Sequence, residues 1–182
     1  MNTALVLVDI QNDYFKGGRN ELFQPDKAVT HAEEALSLFR EKNLPIVHIQ
    51  CILLEKEAAF FLPDTDGINI HERVKPQSDE KVIVKHTPDS FFQTELQKHL
   101  ESMKVTRLVV CGMMSHICID STVRTAHRLG YEVILLNEAC ATKDLVWNDT
   151  VIPAKTVHDT FMASLQDTFA RVIDTSSLYD MV

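Results

Sequence analysis

The chain has 182 residues, 45% hydrophobic and 24% charged, with only 5 Gly and 6 Pro, a length and composition suited to one globular domain with one sizeable core. No Pro/Gly/Ser-rich linker divides it, and neither disorder nor a fibrous repeat fits these totals. A formal net charge of −8, with no Lys/Arg stripe to displace counterions, argues against a nucleic-acid partner.

The N-terminus, MNTALVLVDIQ, lacks a basic lead, and its apolar run is about one strand long, so it predicts neither a signal peptide nor a membrane span. A cytoplasmic location is expected, with Cys51, Cys111, Cys118 and Cys140 as free thiols; outside Cys118 they read as small buried hydrophobes. ALVLVD (4–9) is the first predicted strand, and PDKAVTHAEEALSLFREKN (25–43) the first helix, with Val29, Ala32, Leu36 and Phe39 on one face. LPIVHIQ (44–50) follows as a strand, then a stretch, 51–80, with no long amphipathic pattern. Such a stretch is a lid, a binding loop or an oligomer contact, and its Phe60-Phe61-Leu62 either covers something apolar or packs on its own domain. Next come a strand at 81–85, a helix at 89–104, a strand at 106–112, a helix at 115–129 ending at Gly130, and a strand at 131–139. A helix at about 153–168 and a strand at 169–175 close the chain. The strands are near-continuous apolar runs, as in sheets buried on both faces. The order predicts an α/β fold, an open, doubly wound, three-layer sheet of about six mostly parallel strands with helices on both faces. Trp147 reads as packing or an oligomer contact.

In such sheets ligands lie beyond the carboxyl ends of the strands. There Asp9 follows the first strand, Lys85 ends the third, and Cys118 follows the fourth. An anion, a cation and a thiol are delivered to one edge. Singly, each has an ordinary explanation: a turn cap, a strand-end lysine, a core cysteine. If Ser115 is the N-cap, Cys118 falls in the first helical turn, where the dipole lowers a thiol's pKa. Asp9 would exchange its proton, with Lys85 as electrostatic partner. A Cys–His dyad through His116 or His86 stays open. No GxGxxG, P-loop or GxSxG is present, and Asp64, Asp66 and His71 are a loose cluster better read as solvated loop residues than as a metal site.

VLVDIQNDYF (6–15), VIVKHTPDSFF (82–92) and VVCGMMSHICIDSTVRTAHRLGYEVILLNEACATKD (109–144) resemble the isochorismatase-like cysteine hydrolases, the third block specifically, and the similarity extends to HDTFMASLQDTFARVIDT. The resemblance implies a triad of Asp9, Lys85 and Cys118, a cis peptide at Met113-Met114, and an oxyanion hole from the Met114 and Cys118 amides. It implies attack on a small amide, lactam or N-carbamoyl compound through a thioester-like acyl enzyme. Nicotinamidases of that superfamily hold a metal through an Asp-x-His pair after the second strand; here that place reads HIQCILLEKE, so neither metal nor cofactor is implied. Isochorismatase proper cleaves a vinyl ether without the cysteine; that activity, or a non-catalytic or redox-responsive binding role, is the alternative. Asn12, Phe15, Phe91 and His116 are candidate substrate contacts, and a homo-oligomer is expected, as is common in the superfamily.

Overall fold

The computed structural model describes residues 2–182. Its strands are β1 (Thr3–Val8), β2 (Ile46–Cys51), β3 (Lys81–Lys85), β4 (Arg107–Met113), β5 (Glu132–Ala141), β6 (Leu145–Trp147), β7 (Thr150–Ile152) and β8 (Arg171–Ile173). Its α-helices are α1 (Pro25–Glu41), α2 (Leu96–Ser102), α3 (Asp120–Arg128) and α4 (Ala154–Leu165). One parallel sheet runs β3-β2-β1-β4-β5-β8, and β6–β7 is a separate antiparallel hairpin. This is the open α/β sheet that the apolar runs predict.

Alternation along β1 explains the layers. Leu5 and Leu7 face α1, meeting the core of Val29, Leu36 and Phe39, while Ala4, Val6 and Val8 face the core that holds Leu100 of α2, Val123 of α3 and Leu165 of α4. Both faces of the strand are thus covered, so it carries no polar alternation. Strand order reverses between β1 and β4, the place where open α/β sheets set their carboxyl-end crevice. At that crevice Gly112 pairs with Val8 at a φ of +129, and a Cβ on it would lie 2.0 Å from the Val8 carbonyl oxygen. Only glycine fits so close an approach at that φ.

Three elements differ from the sequence reading. Residues 89–95 are not helical: Asp89 Oδ1 accepts from Phe91 N (2.9 Å), Asp89 Oδ2 from Thr125 Oγ1 (2.7 Å), and Ser90 N donates to Thr122 Oγ1 (3.1 Å). Side-chain acceptors there replace the helical ladder. The hairpin β6–β7 interrupts what reads as a connection, and β8 is shorter than the predicted strand at 169–175.

The 51–80 segment is irregular, with 3-10 turns at Asp66–Ile68 and Glu72–Val74. It is tied down by residues just past β1. Gln11 Nε2 donates to Cys51 O and Ile68 O, both at 2.9 Å, and Asp13 Oδ2 accepts from Phe61 N at 2.6 Å. Phe61 is buried against Tyr14, ring centroids 4.6 Å apart, so the Phe60-Phe61-Leu62 triplet packs on its own domain. Among the described residues no helix is long and apolar enough to cross a membrane.

Candidate active site

Where β1 ends, Asp9 turns the chain in the left-handed region, φ 52, a conformation Asp tolerates better than most residues. Its amide still donates to Ile49 O (3.1 Å), and its carboxylate is fully enclosed. Lys85 closes β3 and pairs with Cys51 of β2, so its side chain must reach past the end of β2 to meet Asp9. It does so: Nζ lies 2.8 Å from Asp9 Oδ2 and donates to the carbonyls of Thr87 (3.1 Å) and Pro88 (2.9 Å). Three acceptors match the three donors of an ammonium.

Burial pulls the Lys85 amine down, but the facing Asp9 carboxylate outweighs it and holds the amine above its usual range. Burial raises Asp9, opposed by the Lys85 charge and hydrogen bond and by the Cys118 thiol, with a net upward shift. Apart from Lys85 and the Cys118 thiol, neither Asp9 oxygen has a donor. An enclosed carboxylate with spare acceptor capacity beside a thiol is a base within reach of its proton. Of the three groups, Cys118 keeps the most exposure, 6% against 0% for Asp9 and 1% for Lys85.

The thiol itself departs from the expectation. Ser115 does not cap a helix; Met114 precedes a π-helical turn, Ser115–Ile119, with Cys118 inside it, and α3 begins only at Asp120. Burial first, then the Asp9 charge, push the Cys118 thiol well above its ordinary pKa, more than the Lys85 charge pulls it down. The helix-start argument for a preformed thiolate therefore fails here: the resting sulfur is a neutral thiol with its base alongside.

The loop ahead of it is held from β5 and α4. The Met113–Met114 peptide is cis. Ser115 Oγ lies 2.9 Å from His158 Nδ1, His158 Nε2 lies 2.9 Å from Asn137 Oδ1, and Asn137 Nδ2 donates to Asp174 Oδ1 (3.3 Å). With the amide donating to Asp174, its oxygen faces the ring, which favours the Nε2–H tautomer and makes Nδ1 an acceptor for the Ser115 hydroxyl, whose other acceptor is Ala141 O at 3.3 Å.

The four candidate substrate contacts separate. Phe91 shares the core layer of Cys118, whereas Phe15 lies in the opposite layer with Met114 and stacks on His71, centroids 3.9 Å apart. Asn12 donates to Asp66 O (3.3 Å) and Oδ2 (3.1 Å), and with Phe15 it lines a cleft of about 460 Å³ whose wall does not include Cys118. His116 Nδ1 meets Thr142 Oγ1 at 2.6 Å, and His86 Nδ1 meets Ile52 O at 2.7 Å, so these rings are engaged away from the thiol; Asp9 and Lys85 are its charged neighbours. Among the described residues no three His, Cys, Asp or Glu side chains gather as metal ligands, and Asp66 and His71 are taken up by Asn12 and Phe15. Gln11, Asp13, Asn137 and His158 escape the sequence reading; Gln11 and Asp13 stand inside the first resembling block, but nothing in the sequence pairs His158 with Ser115.

The model of the isochorismatase domain matches residues 3–177. YddQ of Bacillus subtilis (strain 168), an uncharacterised isochorismatase family protein, is 48% identical over 177 residues, covering 97% of this chain and 98% of YddQ. A streptothricin hydrolase of Streptomyces noursei is 34% identical over 142 residues, 78% of this chain and 55% of the relative. Among solved structures, a candidate isochorismatase hydrolase from Oleispira antarctica superposes with a TM-score of 0.95 at 41% identity, covering 98% of this chain and 96% of that one.

Proposed function

This chain belongs to the isochorismatase family, and from that premise we propose that it is a cysteine hydrolase that cleaves a C–N bond of a small amide, lactam or N-carbamoyl compound. The observation that carries the reading is the enclosed Asp9–Lys85 pair, 2.8 Å apart, with its unfilled carboxylate acceptors beside the Cys118 thiol.

In the first step Asp9 takes the thiol proton and the sulfur attacks the substrate carbonyl carbon, forming the C–S bond and moving the C=O electron pair onto oxygen. The Met114 and Cys118 N–H groups are assigned to that oxyanion. As the C–N bond breaks, Asp9 passes its proton to the departing nitrogen, and ammonia or an amine leaves, or in a lactam the ring opens with the amine still tethered to the acyl group. Water then attacks the thioester, Asp9 accepts its proton, the C–S bond breaks, and the proton returns to sulfur. Lys85 stays an ammonium throughout, opposing the burial that raises Asp9. No metal ligand is needed in this scheme. The streptothricin hydrolase among the relatives supports a hydrolase acting on a small molecule, not a particular substrate.

The test is a panel of small amides, lactams and N-carbamoyl compounds, with mass spectrometry of the Cys118 peptide after acid quench. An acyl adduct on Cys118 and loss of turnover in Cys118→Ala are expected. Undiminished turnover of a panel member in that variant would remove Cys118 as nucleophile, and turnover of an added vinyl ether, but of no panel member, by both wild type and variant would replace the reading with vinyl ether hydrolysis, which needs no thiol. A chain that turns over none of the panel but binds a member would be a non-catalytic homologue.

A further inference from the structure

The hairpin β6–β7, three residues per strand, exposes Val146 at 69%, Trp147 at 71% and Val151 at 58%. A lone two-stranded hairpin is marginal in water, and an exposed apolar cluster marks a contact surface. Its turn residues, Asn148 and Asp149, have φ values of 46 and 61, the primed hairpin turn, and place the Asp149 carboxylate at the tip.

Beside the base of this arm lies a cleft of about 330 Å³ between α1, the end of β5 and the start of α4, lined by Phe23, Lys27, Ala28, Cys140 and Ala154 among others. The arm and this wall are joined: Asp144 Oδ1 accepts from Ala154 N (2.7 Å), and Phe23 N donates to Thr142 O (2.9 Å), two residues before Asp144. Phe23, 52% exposed, adds a second uncovered aromatic to this end. The charges of the cleft are mostly spoken for. Lys155 pairs with Asp159 (2.6 Å), and His31 lies 3.1 Å from Glu34 and 3.9 Å from Glu138. Lys27 in the cleft and Asp149 on the arm have, among the described residues, no ion pair or side-chain hydrogen bond. Trp147 is too exposed to occupy the cleft of its own chain.

We propose that the β6–β7 hairpin is a dimerisation arm: Trp147 of one copy seats in the α1–β5–α4 cleft of a second copy, with Asp149 against Lys27 across the contact. An apolar knob with an unpaired anion and a part-apolar socket with an unpaired cation stand on the same chain. A two-fold axis makes both contacts twice and closes the pair, so the occupant is a second copy rather than another protein. Desolvated charge pairs at such a contact add selectivity for that partner.

Trp147 is the one tryptophan in the sequence, so intrinsic emission reports this contact directly. Sedimentation velocity and emission spectra are measured across a dilution series for the wild type, Trp147→Ser, Lys27→Glu, Asp149→Lys and the Lys27→Glu/Asp149→Lys double variant. The expected result is a wild-type dimer with short-wavelength emission that moves to the solvent-exposed value as it dissociates. Trp147→Ser should be monomeric at concentrations where the wild type is not. Each charge reversal should weaken the dimer at least about tenfold, and the double reversal should restore it. An exposed-indole spectrum at every concentration overturns the proposal, as does a dimer indifferent to Trp147→Ser. Absence of rescue in the double variant overturns the Asp149–Lys27 seating. Unaltered far-UV circular dichroism spectra of the variants below their melting transitions, together with cooperative melts, separate lost association from lost folding, since a lost dimer contact lowers only the concentration-dependent part of the midpoint.

Discussion

At the scale of the residue, the molecule keeps an ion pair where hydrophobic packing would be simpler. Lys85 and Asp9 have side chains at 0% exposure, an arrangement that removes two charges from water and is held by mutual attraction and two carbonyl acceptors. Replacing Lys85 by Met should therefore destabilise by about 3–5 kcal/mol, because the Asp9 carboxylate is left enclosed without a cation. The Lys85→Met/Asp9→Asn double variant should recover part of that loss in urea denaturation; additive losses would mean the two side chains are not energetically coupled. The thiol gives a second expectation of opposite signs. Asp9 raises the Cys118 pKa, so Asp9→Asn should bring the thiol down and speed alkylation by iodoacetamide at neutral pH, while hydrolysis, deprived of its base, falls. In the wild type the alkylation rate should still be rising at pH 9. A plateau near neutrality would restore the preformed thiolate that the sequence suggested. What hid this from the sequence is burial: Cys118 sits in the same spacing whether or not water reaches it.

Elements were legible where one physical rule dominates. The central strands β1, β4 and β5 announce themselves because both faces are covered and the alternation vanishes, the edge strand β3 is marked by its β-branched run although Val82 and Val84 stay exposed, and α1 is marked because Ala32, Leu36 and Phe39 share a stripe buried on the sheet. The misread elements are those in which side chains compete with the backbone or face outward. The predicted helix over 89–104 shrinks to Leu96–Ser102 because Asp89, Ser90 and Thr94 spend their oxygens on nearby backbone and on α3. Replacing Asp89 by Ala orphans Phe91 N and the Thr125 hydroxyl together, and should cost about 1–3 kcal/mol by urea denaturation. A change under a few tenths would mean that solvent already satisfies these groups. The hairpin was missed for a different reason: Val146, Trp147 and Val151 are apolar without being interior, which no rule of burial anticipates. Residues at the candidate site divide likewise. Asp9, Lys85 and Cys118 were readable because strand ends converge on one edge, whereas Ser115, His158, Asn137 and Asp174 meet only through the fold.

For the whole molecule, one carboxylate joins the end of the long irregular segment to both the sheet and α1. Glu80 takes Arg40 of α1 on both oxygens (2.7 and 2.9 Å), His48 of β2 (2.9 Å) and the Gln77 amide (2.9 Å). Burial pushes Glu80 up, but Arg40, the Gln77 amide and His48 together bring it down to about 2 from an ordinary 4.5. A carboxyl lowered on folding contributes stability that is complete above its unfolded pKa and is lost as pH falls through the folded value. His48 is lowered by burial against a weaker upward pull from Glu80, so its contribution is likewise present above 6.5 and fades on acidification. Acid unfolding should then come in two parts: a shallow loss of thermal midpoint below about pH 6.5, removed in His48→Gln, and a steeper one between about pH 4.5 and about 2, flattened in Glu80→Gln. The second variant should also be less stable at pH 7, because Arg40 and His48 lose their shared partner. A Glu80→Gln melt that keeps the wild-type slope between pH 4.5 and 2 would place the acid sensitivity elsewhere. The Asp9–Lys85 pair is not the alternative source, because burial raises the Asp9 carboxyl net of the Lys85 charge, and a carboxyl raised on folding adds stability as pH falls.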